Sequence, residues 1–322
     1  MHPSHPRVHL AVDLSHVGAR PAAWRDVRSG APRGFDPARL AGLVATAERG
    51  TLDLVVLGHD FRLRPDRGQT VDGRLDAVHA LAQVAPSTRG IGLVATVAGD
   101  AGRPAELGRA VATLDALSAG RAGWQVGPAA RVGRPATDVV ELIAAVRAAW
   151  ARGDAGPVQG RPPVVVRADT ARALEVAGAV ADVVRVRARD ARSAGQQRAL
   201  VRASARSVGR DPDDVLVLVD AYTAIDAGAG SRRGAGPAAP DPESYVHVGT
   251  AGALAALVAG WSAAGVVDGF TLRPASPAAD LPAIVDGVVP ELRERGLYRS
   301  AYPGSTLTQT LAPPLRPTRL AG

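Results

Sequence analysis

Eight short apolar runs, each followed by a longer amphipathic stretch, constrain the fold of this 322-residue chain more than any other feature. The runs lie at 8–14, 52–57, 91–97, 122–126, 164–167, 182–186, 215–221 and 269–272. They are rich in Val, Leu and Ile with little polar alternation, as strands buried on both faces require. Helical periodicity falls between them, at 36–49, 74–84, 104–117, 137–151, 171–179, 192–208, 251–264 and 281–295. Asp36-Pro37 reads as a helix cap with proline in the first turn. Glu48-Arg49-Gly50 and Arg295-Gly296 place glycine where a helix end wants a left-handed residue. Eight βα units predict one closed (β/α)8 TIM barrel of α/β class, an open doubly wound sheet being the alternative on pattern alone. A single domain over 1–322 is expected, with flexible ends at 1–7 and 312–322. Gly/Pro-rich stretches at 127–135 and 226–242 predict loops after the fourth and seventh strands, at the face where barrel active sites lie.

Composition narrows the chemistry. Apolar residues make up 46% of the chain but aromatics only 3%, so the core must be packed from Ala, Val and Leu. The formal charge is 38 − 31 = +7 and every basic residue is Arg. These arginines are scattered from Arg7 to Arg319, usually beside acidic residues, without the basic patch or interleaved aromatics of a nucleic-acid binder. With no cysteine, disulfides, thiolate nucleophiles and Cys-ligated metals are excluded. The start has no basic region preceding an apolar one, and no apolar run reaches the ~18 residues of a membrane span. A soluble cytoplasmic protein is expected.

In a barrel, polar residues at strand ends are the candidates for chemistry. Here they are His59-Asp60, Thr96, Gln125, Arg167 through Thr170, Arg187 with Asp190, Tyr222 and Arg273. The set offers hydrogen bonds for a polar ring system. It contains no carboxylate pair at glycosidase spacing and no His/Asp/Glu cluster at metal-ligand spacing, so no metal site is expected. No nucleophile elbow, P-loop or dinucleotide-binding glycine fingerprint is present, which counts against hydrolase, NTPase and direct nicotinamide readings. Asp115, Ser118 and Arg121 precede a strand and read as a structural capping and ion-pair cluster; Trp124 and Trp261 read as packing.

Leu93-Val94-Ala95-Thr96-Val97, followed by Leu114-Asp115-Ala116-Leu117-Ser118-Ala119-Gly120-Arg121-Ala122-Gly123-Trp124-Gln125-Val126, resembles the core signature of the luciferase-like flavin monooxygenase superfamily. Further stretches agree in the same order: Ala23-Trp24-Arg25, Ala47-Glu48-Arg49-Gly50-Thr51-Leu52-Asp53, Gln159-Gly160-Arg161-Pro162, Gly209-Arg210-Asp211-Pro212-Asp213-Asp214-Val215, Asp268-Gly269-Phe270, and Val289-Pro290-Glu291 through Tyr298-Arg299. The chain is most similar to the branch of nitrilotriacetate monooxygenase component A and dibenzothiophene-sulfone monooxygenase, over about residues 8–311.

The resemblance implies reduced FMN as cofactor, supplied by a separate NAD(P)H:flavin reductase and used with O₂ to oxygenate a small organic substrate. It implies flavin contacts at Thr96 and Gln125, and a phosphate seat at Thr170 with Arg167. His59 or Asp60 would serve as acid or base. Several positions depart from the family pattern: Gln125 stands for Asn, the carboxylate after the second strand is displaced to Asp60, and Asp169 falls beside the expected phosphate, where Arg167 would compensate it. The segment between strands four and five, 127–163, is shorter than in typical members and retains one helix. Two alternatives stay open: the deazaflavin F420 as cofactor, and a degenerate barrel acting as a binding or non-catalytic subunit. A homodimer packed through Ala-rich helices is compatible with the pattern.

Overall fold

The computed structural model describes residues 8–15, 37–63, 71–74, 76–98, 104–127, 138–152, 156–225 and 243–312. The Ala23-Trp24-Arg25 stretch, most of the 127–135 segment, the 226–242 segment, residues 1–7 and nearly all of the expected C-terminal end lie outside them. In chain order the elements are β1 (His9–Asp13), α1 (Pro37–Arg49), β2 (Leu54–Leu57), β3 (Asp60–Leu63), β4 (Val71–Arg74), α2 (Ala77–Val84), β5 (Gly92–Ala98), α3 (Pro104–Leu117), β6 (Ala122–Gly127), α4 (Val139–Arg152), β7 (Val164–Ala168), α5 (Ala171–Val180), β8 (Val183–Val186), α6 (Ala191–Ser207), β9 (Leu216–Ile225), β10 (Tyr245–Gly249), α7 (Ala251–Ala263), β11 (Gly269–Pro274), α8 (Pro277–Ala283), α9 (Val289–Glu294) and α10 (Leu307–Leu311).

Eight strands close on themselves in the order β1-β2-β5-β6-β7-β8-β9-β11, every pairing parallel, with β11 returning to β1. This is the (β/α)8 barrel, and all eight predicted runs are its strands. The link from β6 to β7 carries α4 alone among its described residues. Three features escaped the sequence pattern, one of them a pair of strands. β3 and β4 form an antiparallel hairpin after β2. β10 pairs in parallel with the last five residues of β9, beyond the stretch that pairs β8. The third is α10.

Alternation along each strand separates two cores. Outward residues such as Val12, Val55, Leu93, Trp124 and Phe270 pack under the helices. Inward residues Ala11, Leu54, Val56, Val94, Val165, Val183, Leu216 and Leu218 fill the lower barrel, and α10 adds Leu307 and Leu311 to them. Leu307 enters because the facing strand positions are glycines. A Cβ on Gly92 would fall 2.4 Å from Leu307 Cδ1, and one on Gly123 would fall 3.0 Å from Leu307 Cδ2. Gln159 fastens α10 to the barrel, accepting from the Thr308 backbone and hydroxyl while its amide donates to Asp115 and the Ala122 carbonyl.

The base of the barrel is tied by buried charge. Asp53 accepts from Arg299 (2.9 Å) and the Leu10 amide (2.6 Å) and contacts His9 Nδ1 (2.7 Å). Burial would raise its pKa, but Arg299 and His9 outweigh burial and hold the carboxyl down to about 2. Helix α1 ends differently from expectation. Gly50 is not the left-handed residue; Thr51 is, at φ 53°. Gly50 is needed for space, since a Cβ there would fall 2.7 Å from Val285 Cγ2. Thr51 is held in its strained conformation by three donors to its carbonyl, Tyr298 Oη, Arg299 Nε and Arg299 NH2. The single helix expected at 281–295 instead starts at Pro277 and passes through a π-turn, Ile284–Val288, between α8 and α9. Pro282 and Pro290 lack the N–H that a continuous helix would use there.

Candidate active site

Contacts between strands that are not neighbours in the barrel must pass through its interior. Arg185 on β8 makes two, and adds a third contact to a neighbour. It donates to Asp13 on β1 (2.6 Å), to Gln125 on β6 (3.1 Å) and, through two bonds, to Asp220 on adjacent β9 (2.8 and 2.9 Å). Arg185, Asp13 and Asp220 are all buried. Burial opposes the guanidinium charge, but Asp220 and Asp13 outweigh it and raise the Arg185 pKa. Around this centre stand Arg273, whose NH1 donates to Tyr222 Oη at 2.7 Å, and Arg167, whose Nε lies 3.6 Å from Asp220. The Tyr222 phenol is pushed up by burial against the pull of Arg273, which keeps it protonated.

The predicted residues divide around this layer. Thr96 and Gln125 face each other on β5 and β6, with Gln125 Nε2 donating to Thr96 Oγ1 at 3.2 Å. His59 follows β2 and lies against the end of β6. A Cβ on Gly127 would fall 2.6 Å from His59 Cε1 and 2.8 Å from Thr96 Cγ2, so glycine leaves the room that brings His59 and Thr96 together. Asp60 opens the β3–β4 hairpin opposite Arg74; its side chain is outside the described atoms. Arg167 extends inward to Asp220, and it is Arg187 that pairs with Asp169, at 3.2 Å. Thr170 caps α5, its Oγ1 accepting from the Ala173 amide at 3.2 Å.

Sequence reasoning passed over Asp13, Arg185 and Asp220. A signal existed: each is a lone charge beside β-branched residues in a barrel strand, as in Val183-Val184-Arg185-Val186, and such a charge must face a polar interior and be paired. Other readings hold with one change. Asp115, Ser118 and Arg121 are structural, but Arg121 makes no ion pair with Asp115 among the described contacts; it donates to Thr88 Oγ1 and to the carbonyls of Ala85, Thr88 and Ile91. Trp124 packs edge-on to Trp150, and Trp261 lies between Tyr245 and Phe270. Among the described residues no group of three or more His, Asp or Glu could hold a metal, and no helix is long and apolar enough to cross a membrane.

Comparison with known proteins agrees with this architecture. A family model described as luciferase-like monooxygenase matches residues 15–233, more than half of the chain. The N-acetyl-S-(2-succino)cysteine monooxygenase of Bacillus subtilis (strain 168) is 22% identical over 425 residues, covering 94% of this chain and 96% of that protein. Nitrilotriacetate monooxygenase component A of Aminobacter aminovorans is 32% identical over 121 residues, 34% of this chain and 27% of that protein. The solved structure of EDTA monooxygenase (EmoA) from Chelativorans sp. BNC1 superimposes with a TM-score of 0.79 at 19% identity, covering 95% of this chain and 98% of that one.

Proposed function

Because the chain belongs to the luciferase-like monooxygenase family, we propose that it is a flavin-dependent monooxygenase of a small organic substrate, working with reduced FMN. When bound, reduced flavin supplies the electrons that activate O₂, so that one oxygen atom enters the substrate and the other leaves as water. The observation that carries the reading is the polar, hydrogen-bonding layer at the upper ends of the strands, above an apolar lower barrel. Its donors suit the flavin. Thr96 and Gln125 would meet the polar edge of the ring, and the opening created by Gly127 lets His59 approach the same place to hold or move a proton. Helix α5 begins at Ala171, and a helix start favours an anion; Thr170 stands at its cap, with Oγ1 accepting from the Ala173 amide. Asp169, whose charge would repel a phosphate there, is engaged by Arg187. Arg167 adds positive charge to the same end of the barrel. The relative named as component A supports a separate NAD(P)H:flavin reductase as the source of reduced flavin.

Anaerobic titration with FMN, reduced FMN and reduced F420, followed by fluorescence and calorimetry, tests this reading. Reduced FMN is expected to bind well below millimolar and more tightly than F420. Thr170→Asp should weaken it by at least about tenfold, since like charges would meet at the helix start. Absence of binding by any form would leave a barrel without cofactor chemistry, and unchanged affinity in Thr170→Asp would remove the phosphate assignment.

A further inference from the structure

The polar layer carries an unbalanced charge. Asp13, Arg167, Arg185, Asp220 and Arg273 come from five different strands, and among these described residues three guanidiniums meet two carboxylates, 3 − 2 = +1. The carboxylates are committed to Arg185 by bonds of 2.6 to 2.9 Å. Arg273 stands 3.6 Å from Asp13 and 3.7 Å from Asp220, too far to hydrogen-bond either, and among the described residues its hydrogen bond goes to the Tyr222 hydroxyl. Its guanidinium carbon lies 4.7 Å from the Tyr222 ring centroid. Tyr222 accepts that bond and, being protonated, retains a hydrogen to donate. A cation only 9% exposed at its side chain, with N–H groups left over from hydrogen bonding among the described residues and a phenol beside it, offers a site to an anion.

Position in the barrel says which anion. In the closed order β1-β2-β5-β6-β7-β8-β9-β11, Tyr222 on β9 and Arg273 on β11 lie across the barrel from Thr96 on β5 and Gln125 on β6. The proposed flavin ring contacts occupy the far side, and the phosphate seat follows β7, two strands from β9. We propose that Arg273 and the Tyr222 hydroxyl form a receptor for a carboxylate group of the substrate, which makes the substrate an organic acid. A planar guanidinium matches the two oxygens of a carboxylate, and the phenol supplies a third donor. This rests on reading the same barrel mouth as the substrate's seat and adds the substrate's class.

The test is calorimetric titration of the full chain, with and without reduced FMN, using acetate, succinate and citrate as probes and succinamide as the uncharged control. Carboxylates are expected to bind and succinamide to fail. Arg273→Gln should weaken carboxylate binding by about tenfold or more, and Tyr222→Phe by several-fold, while reduced FMN affinity stays near wild type. Tyr222→Phe leaves all five charges in place, so it reads the receptor even if Arg273→Gln does not fold. Carboxylates binding no better than succinamide would overturn the proposal, as would Arg273→Gln losing flavin affinity instead. Carboxylate binding without flavin binding would sustain the receptor and remove the flavin reading; flavin binding without carboxylate binding would do the reverse.

Discussion

At the scale of single residues, the protein stakes most on a few buried polar groups. Asp53 lies lowest, fully buried between His9 and Arg299, and its carboxyl is held at about 2 against an ordinary 3.8. A depressed carboxylate contributes stability that is complete above its unfolded pKa and fades as pH falls through the folded value. Urea unfolding at pH 5 and pH 2 should therefore differ by about 2 kcal/mol from this group, and Asp53→Asn should remove that part of the difference. Thr271 presents the opposite case. Its hydroxyl is fully buried and has no partner among the described residues. Thr271→Val keeps the shape and removes the unpaired group, so it should raise stability by about 1 kcal/mol in the same denaturation assay. Neither property was legible in the sequence. A lone Asp or Thr in an apolar run signals burial, but whether its partners are present depends on residues such as Arg299, far along the chain.

Elements fit because side-chain size is matched between segments that are distant in sequence. The seal of the barrel floor is the clearest instance: α10 inserts Leu307 over Gly92 and Gly123. Leu307→Ala should cost about 2–5 kcal/mol through the cavity it leaves, and Gly92→Ala about 1–3 kcal/mol through overpacking. The double variant should cost less than the two together, because each change relieves the other; a double-mutant cycle by chemical denaturation reads the coupling. The eight barrel strands were readable because continuous Val and Leu runs identify two-sided burial from local pattern alone. Strand β10 and helix α10 were not. Five-residue elements carry too little periodicity, and what orders them is tertiary: the tail of β9 for one, the open base of the barrel for the other.

For the molecule as a whole, two charged layers do different work. The base holds Asp53, Arg299 and Thr51, which are buried, and Glu48, Gln159 and Asp268, which are half-buried, and together they join segments. The mouth holds Arg185 with Asp13 and Asp220, beneath Thr96, Gln125 and Arg273. Arg299→Met should cost about 3–5 kcal/mol of stability by stranding Asp53, yet leave reduced FMN affinity within about twofold, since distant sites are nearly independent. Thermal unfolding paired with flavin titration checks both halves. Most motifs that carry the family resemblance lie before strands, at the base. They therefore specified the scaffold and were silent on the mouth. The sequence by itself determined the closed parallel barrel, since eight apolar runs and the helices between them can bury their faces in few other ways. Only the tertiary structure decided that Asp13, Arg185 and Asp220, from three strands remote along the chain, share one interior. The physical reason is that a local pattern records which side chains must leave water, whereas pairing of charges depends on which strands the closure of the barrel brings face to face.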